Sequence, residues 1–350
     1  MSRIPVTILG ATGVVGQRFV RRLKDHPLFE IQHLAASDRS TGKTYEEACA
    51  WRLDGVPYGG LNQQTLQAAH PNQAMSPVVF SALDSGPASQ IEPLFASAGA
   101  LVFSNASSFR MALDVPLLVP EANADHMDLL KTQRATRGWK GGIVCNPNCT
   151  STVLVMGLAP LQQAFGIERV FMTSMQAISG AGYPGVPSLD ILGNVIPFIK
   201  NEEEKVEEET PKMLGRFTGS AVEAAAFSIS AMCYRVPVIE GHTEAVSVTL
   251  RGNPTPEQVT DAFLAWRGDA RVSSLHSAPE VPVRVHTAPD RPQVRLDVEK
   301  DGGMSVHVGR VRKCNLLGIK FALLGHNTER GAAGASVLNA ELAHAMGLLS

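Results

Sequence analysis

Residues 6–23 constrain the fold of this chain more than any other stretch. Val6-Thr7-Ile8-Leu9 is a short apolar run of strand type. Gly10-Ala11-Thr12-Gly13-Val14-Val15-Gly16-Gln17 follows at once, and an amphipathic run continues through Phe19, Val20 and Leu23. A strand, a turn with glycine at every third position and then a helix form a variant of the dinucleotide-binding fingerprint. The glycines let the backbone approach a pyrophosphate, which rests on the N–H groups at the helix start. An ordinary tight strand–helix turn is the alternative. Placement at the first such junction of the chain favours cofactor binding.

The pattern then repeats. Ile31–Ala36, Val78–Leu83, Leu101–Ser104, Leu117–Pro120 and Gly142–Cys145 are apolar strand candidates, separated by helical runs such as the one through Ile91, Leu94 and Phe95 and one beginning near Asn123. This alternation predicts an α/β fold whose N-terminal part is a Rossmann-like, doubly wound parallel sheet. The end of the second strand is where such a domain reads the ribose. Asp38 there suits a 2′-hydroxyl, and Ser37, Arg39, Ser40 and Lys43 suit a 2′-phosphate. Four donors against one carboxylate favour NADP over NAD, because a phosphate takes several charge-assisted bonds. Arg110 follows the 101–104 strand, in the region where strand ends converge on the ligand crevice.

The alternation stops after a helix expected from Thr150 to about Phe165. Val170–Ala177 reads as a long strand with Gln176 near its end, leading into the Gly- and Pro-rich loop Ile178–Pro187. Glu202–Glu209 is the strongest charge run, and most such runs are solvated helix faces. Glu202 and Lys205 share one side by their spacing of three. Thr210-Pro211 is expected to restart or kink the helix. Strands are expected at 245–250, 281–285, 294–298, 305–311 and 319–324, with a helix near 255–266. The second half thus reads as an α+β catalytic and dimerisation domain with a large mixed sheet, one face for substrate and one for a partner subunit. Small residues from Gly331 to Gly334 open a last helix. The expected division is 1–148 for cofactor and 149–326 for catalysis and dimerisation, with the helix at about 327–350 completing the first domain.

Cys149 lies in Gly142-Ile143-Val144-Cys145-Asn146-Pro147-Asn148-Cys149-Thr150, at the turn between an apolar strand and a long apolar helix. A helix N-terminus stabilises a thiolate, so a nucleophile is one reading and a small buried thiol the other. A backbone N–H near Thr150 is a candidate oxyanion donor. Arg235 and His242 flank a Pro-Val-Ile segment, and a histidine is a natural proton partner for a thiol. Five cysteines without a C-x-x-C pair argue against a disulfide framework and against a metal site, and for a reducing compartment. With 31 Lys+Arg against 33 Asp+Glu there is no nucleic-acid footprint. No apolar run has the length of a membrane span, and Met1–Val6 leads straight into a strand with no leader, so cytoplasm is the expected location.

Taken together these segments resemble aspartate-β-semialdehyde dehydrogenases, and more closely the archaeal and fungal branch. The resemblance rests on Gly10–Gln17, Ala36–Lys43, Ser104–Ser107 with Arg110, Asn146–Thr150, Gln176–Pro184, Glu202–Lys205, Arg235–Val238 with Gly241-His242, and Gly325–Thr328 with Gly331–Gly334, in the family's order. It implies NADPH-dependent reductive dephosphorylation of L-aspartyl 4-phosphate to the semialdehyde, with inorganic phosphate as co-product. The setting would be lysine (diaminopimelate), threonine, methionine and isoleucine biosynthesis. It implies Cys149 as nucleophile, His242 as acid/base and Gln176 as orienter. Arg235, Glu202 and Asn148 would meet the amino-acid part of the substrate, and Arg110 and Lys205 its phosphate. Gly10, Ala11, Thr12, Gly13, Val14, Val15, Ser37, Arg39, Ser40, Lys43, Ser81, Ala82, Ser179, Gly180 and Asn327 would line the cofactor. A homodimer or homotetramer is implied as well. Pro211 departs from the family's continuous helix. A reductase for N-acetylglutamyl phosphate or malonyl-CoA, and a non-catalytic NADP sensor, are the competing readings.

Overall fold

A computed structural model describes residues 3–349. Its first sheet consists of β1 (Ile4–Leu9), β2 (Phe29–Ala36), β3 (Gln67–Ala68), β4 (Val78–Ser81), β5 (Leu101–Ser104) and β6 (Gly142–Cys145). The order is β3-β2-β1-β4-β5-β6 and all pairs are parallel. Strand order reverses between β1 and β4, so a crevice opens beyond their C-terminal ends, where a doubly wound sheet binds its ligand. The run expected as a strand at 117–120 is reduced to one bridge, Leu117 to Cys145, and a short helix starts at Pro120.

The second sheet is mixed. It contains β7 (Ile167–Gln176), β10 (Ser228–Arg235), β11 (His242–Leu250), β12 (Val283–His286), β13 (Val306–Cys314) and β14 (Gly318–Gly325), in the order β10-β7-β11-β14-β13-β12. A small hairpin, β8 (Arg216–Phe217) with β9 (Val222–Glu223), stands apart. Residues 294–298, expected as a strand, form a short helix at Val294–Asp297. There the Asp297 carboxylate accepts the Gln293 N–H and holds Arg291 and Lys300, which fixes a helical turn and leaves no strand partner.

The helix Cys149–Ala164 packs on the mixed sheet, and every residue from Thr150 to Leu161 is buried. It is apolar all round because protein surrounds it on all sides. The helix Glu202–Met213 lies beside it and covers edge strand β10. Two of its glutamates, Glu203 and Glu207, accept the β10 backbone N–H groups of Cys233 and Ala231, each at 2.9 Å. That satisfies donors an edge strand would otherwise leave open. The charge run is therefore not chiefly a solvated face. Glu202 and Glu209 are buried, and only Glu204 and Glu208 among its six glutamates are exposed. Pro211 neither restarts nor kinks this helix, which continues to Met213. A proline in the last turn sacrifices a single backbone bond, and packing carries the rest.

The chain returns to the first sheet at its end. The helix Gly334–Ala345 packs with Val6, Ile8, Phe19 and Phe103 in one apolar cluster. Arg330, fully buried, makes two 2.6 Å bonds to the Glu121 carboxylate.

Candidate active site

Helix capping places Cys149. Asn148 is the N-cap residue, and its Oδ1 accepts the N–H groups of Thr150 and Ser151 at 2.9 and 3.0 Å. Cys149 is therefore the first helical residue. Gly331 lies against it so closely that a Cβ there would stand 2.5 Å from the Cys149 Cβ. Asn146 of the same turn donates to the Ala332 carbonyl at 3.0 Å. The small residues of the C-terminal segment thus back the thiol itself.

Sheet register brings the other groups. His242 begins β11 opposite Gly325 of β14, and Gln176 and Arg235 end the adjacent strands β7 and β10 as direct register partners. Across 93 residues of sequence, Cys149 Sγ and His242 Nε2 come to 3.2 Å. His242 Nδ1 accepts the Ala177 N–H at 3.1 Å. A ring that accepts at Nδ1 carries its proton on Nε2 when neutral, so the N–H faces the sulfur. Burial drives the His242 pKa down to about 3, with Glu202 opposing and Arg235 reinforcing, and the ring is neutral near pH 7.

Cys149 is half-buried as a residue, and burial raises its pKa to about 12. Glu202 adds to that rise, and Arg110, Arg235 and the Thr150 N–H offset only part of it. The thiolate expected from helix position alone is thus not the resting state; desolvation outweighs the helix terminus. The Thr150 N–H, near which an oxyanion donor is expected, is shared with the Asn148 cap. The Cys149 N–H, one residue earlier, meets no backbone or side-chain acceptor among the described residues.

Glu202 joins the site from the neighbouring helix. Its Oε1 accepts from Asn148 Nδ2 at 3.0 Å and from Thr150 Oγ1 at 3.1 Å, and Lys205 Nζ stands 3.6 Å from Oε2. Burial by itself would raise its pKa, but the Asn148 amide, Lys205 and His242 hold it below the usual carboxylate value. Arg235 is buried, and its Nη1 donates to the Ala177 carbonyl at 2.7 Å. No carboxylate among the described residues pairs with it, which leaves a cationic fork open to an anionic ligand. Arg110 bonds Glu209 at 3.0 Å and the Asn105 carbonyl at 2.8 Å. Gln176 Nε2 donates to Ser174 Oγ at 3.0 Å.

Two groups here were missed from sequence. Glu209 links Arg110 to the Asn148 backbone N–H, which it accepts at 2.6 Å. Lys212 is buried, donates to the carbonyls of Arg110, Ala112 and Val115, and has a pKa lowered by burial. The signal was available: Glu202, Val206, Glu209 and Met213 are spaced as one helical stripe.

The crevice at β1 and β4 fits a dinucleotide. Gly10 has φ of +73°, and a Cβ on it would lie 2.7 Å from the Ala82 carbonyl oxygen. The helix Val14–Leu23 starts at Gly13 without a side-chain cap, so its first N–H groups are open to a pyrophosphate. Ala11, Thr12 and Val15 complete that turn. Ser81 Oγ, at the end of β4, is buried without a partner. Ser37, Arg39 and Lys43 are exposed and Ser40 half-buried on the turn after β2. Ser179 and Asn327 meet on the opposite side, with Asn327 Nδ2 donating to Ser179 Oγ at 2.8 Å. Gly180 beside them overlies the dyad, since a Cβ on it would be 3.3 Å from His242 Cε1.

Comparison with known proteins agrees with this geometry. Residues 5–130 match the family model "Semialdehyde dehydrogenase, NAD binding domain", and 158–330 match "Semialdehyde dehydrogenase, dimerisation domain". An aspartate-semialdehyde dehydrogenase of Archaeoglobus fulgidus is 50% identical, over 97% of this chain and 98% of that protein. One of Schizosaccharomyces pombe is 45% identical over 98% and 99%. The crystal structure of aspartate semialdehyde dehydrogenase with NADP from Candida albicans superposes with a TM-score of 0.91 at 41% identity, covering 99% of this chain and 100% of that one. With near-complete coverage at these identities, this chain belongs to the aspartate-semialdehyde dehydrogenase family.

Proposed function

We propose that the protein is an NADP-dependent, phosphorylating aspartate-semialdehyde dehydrogenase that converts L-aspartyl 4-phosphate to the semialdehyde in amino-acid biosynthesis. The observation that carries the reading is the 3.2 Å approach of Cys149 Sγ to His242 Nε2, with the acid-free guanidinium of Arg235 and the charged Glu202 around it. Such a pair suits a substrate with both an α-carboxylate and an α-ammonium, which favours an amino-acid acyl phosphate over malonyl-CoA.

In this reading the Cys149 sulfur attacks the acyl carbon. The C–S bond forms, the C–O bond to phosphate breaks, the thiol proton passes to the departing phosphate, which leaves as hydrogen phosphate, and a thioester remains on the chain. Arg110 and Lys205 hold the phosphate as it leaves, and Gln176 orients the acyl group. When bound at Gly10–Val15, NADPH supplies the hydride that reduces the thioester carbonyl. The Cys149 N–H steadies the oxyanion, the C–S bond breaks, and the departing thiolate accepts a hydrogen bond from the Nε2–H of His242 before taking a proton from water to restore the thiol. Dividing acyl transfer from reduction replaces one difficult step with two easier ones. Asn148 assists through Glu202, to which its amide is bonded. Residues 1–148 would bind the cofactor and 149–326 carry catalysis, with the C-terminal helix serving the first domain.

A second copy would cover the outer face of the mixed sheet, where Phe171 and Met232 are 41% and 44% exposed, giving a homodimer or a pair of dimers. All five cysteines are free, and among the described residues no helix is long and apolar enough to cross a membrane. Both suit an enzyme of the cytoplasm. The deciding test is NADPH formation from aspartate semialdehyde, NADP and phosphate, with N-acetylglutamate semialdehyde as the competing substrate. Phosphate-dependent turnover of the first alone is expected. Turnover of the second instead, or of neither, would remove this reading.

A further inference from the structure

Glu240, two residues before His242, was not singled out by sequence. Its carboxylate is the meeting point of three segments distant in the chain. Oε1 accepts from Arg18 Nη2, on the helix that follows the glycine turn. Oε2 accepts from Ser179 Oγ at 2.9 Å and from Thr328 Oγ1 at 3.0 Å. The next residue, Gly241, donates its N–H to Asn327 Oδ1 at 2.8 Å, and Asn327 Nδ2 returns to Ser179. Arg18 is itself buried and forked, giving its other terminal nitrogen to Glu329 at 2.7 Å. Three arginines hold Glu329 in turn, and its pKa stays near 2 although burial opposes this.

The two ends of this network matter for chemistry. At one end is the glycine turn, whose open helix terminus receives a pyrophosphate. At the other is the 178–181 turn, which overlies His242 and so borders the sulfur. A hydride donor anchored at the first must present its reacting carbon beside the second. Reaction rates are sensitive to errors of about 1 Å in such an approach. Charge-assisted bonds from the one Glu240 carboxylate to both sides form a continuous side-chain link between them.

We infer that Glu240 is a positioning residue for the hydride step, its carboxylate tying the cofactor-binding helix through Arg18 to the turn that borders Cys149 and His242. The inference rests on the dehydrogenase reading above. It makes Glu240 dispensable for sulfur chemistry and for holding the cofactor, but not for aligning the two.

The test compares wild type with Glu240→Gln, and with Thr328→Val as a milder loss of one of the same bonds. Four quantities are read: NADP affinity by titration calorimetry, the iodoacetamide rate at Cys149 with and without NADP, kcat for semialdehyde oxidation, and its primary isotope effect with aldehyde-deuterated substrate. For Glu240→Gln, kcat is expected to fall about 10- to 100-fold and the isotope effect to rise, as misplacement of reacting groups predicts. NADP affinity and the cofactor-free alkylation rate should stay within about 3-fold, a change worth well under 1.4 kcal/mol. Any effect of NADP on alkylation in wild type should shrink in the variant. Thr328→Val should move kcat the same way by less. The inference is overturned if kcat is unchanged, if the loss of kcat merely tracks lost NADP affinity, or if cofactor-free alkylation slows as much as turnover. Failure of the wild type to turn over semialdehyde would instead reject the dehydrogenase reading, and the alkylation and calorimetry would still report on the Arg18–Glu240 tie.

Discussion

His242 meets Cys149 through the nitrogen that carries its proton: Nε2 stands 3.2 Å from Sγ, while Nδ1 is occupied by the Ala177 N–H. The pair is therefore not a ready-made thiolate–imidazolium. With the thiol pushed to about 12 and the imidazole down to about 3, both partners rest uncharged near neutrality. Alkylation of Cys149 in the free enzyme should then rise with pH. Below the thiol pKa each pH unit multiplies the thiolate by about ten, so log rate should climb with a slope near one from about pH 6 to 9. Iodoacetamide inactivation across that range measures it. A plateau between pH 6 and 8 would show a pre-formed ion pair and refute the neutral resting state.

Substitution separates the two roles. Cys149→Ser should lower kcat by at least about 10³-fold, because a serine hydroxyl has no comparable nucleophilicity at this pH. Near-normal phosphate-dependent turnover would eliminate the covalent route. His242→Asn should cost about 10²- to 10⁴-fold in kcat with smaller effects on KM. Since the ring presents an N–H to the sulfur, His242→Gln, whose amide reaches farther, should retain more turnover than His242→Asn. Equal rates in the two variants would argue against the donor role.

Gly331 tests the wall behind the nucleophile. A Cβ there would sit 2.5 Å from the Cys149 Cβ and 2.9 Å from its Cα, and neither atom belongs to a flexible tip. Gly331→Ala must therefore shift the helix start or the 326–331 segment. Overpacking of this kind costs about 1–3 kcal/mol. The displaced sulfur should also lose reach to His242, lowering kcat more than KM. A variant with unchanged kcat and unchanged denaturation midpoint would show that the contact relaxes freely.

Local features were the legible part of this fold. The glycine turn and the strands β1, β2, β4, β5 and β6 are each decided within a few residues, so local pattern alone locates them, whereas the two-residue β3 and the lone bridge at Leu117 carry no such pattern. Residues 294–298 misled because their apolar pattern suits a strand, whereas Asp297 is claimed by Arg291 and Lys300. The glutamate run misled because an edge strand that consumes Glu203 and Glu207 is invisible from the helix sequence. The tautomer of His242 depends on Ala177, which only the pairing of β7 with β11 delivers. The Arg18–Glu240 and Arg330–Glu121 links span 222 and 209 residues, beyond any periodicity.

The Arg110–Glu209 pair sets a stability expectation. Both side chains are buried, and Glu209 also takes the Asn148 N–H at 2.6 Å. Removing one partner of a buried pair leaves the other charge uncompensated, at about 3–5 kcal/mol. Glu209→Ala should lose stability on that scale, read by denaturant titration, and should weaken the cap that positions Cys149. Arg110→Ala and Glu209→Ala combined should cost less than the sum of the singles. Strict additivity would mean that the two side chains do not interact energetically.

Cofactor choice should reside in the turn after β2. Arg39 is exposed there, and no carboxylate among the described residues pairs with it, so its guanidinium is free for a 2′-phosphate. Asp38 is the group that would favour a 2′-hydroxyl instead. A charged hydrogen bond of this kind is worth about 1.5–3 kcal/mol. Arg39→Ala should thus raise KM for NADP by about 10- to 100-fold, since each 1.4 kcal/mol is a factor of ten. KM for NAD should hardly move, because NAD has nothing for the guanidinium to grip. The catalytic groups lie across the crevice, so kcat at saturating NADP should hold. Asp38→Ser should act oppositely, weakening NAD and sparing NADP. Steady-state KM values for both cofactors in both variants decide the matter. If Arg39→Ala raises the two KM values equally, Arg39 shapes the loop rather than reading the phosphate.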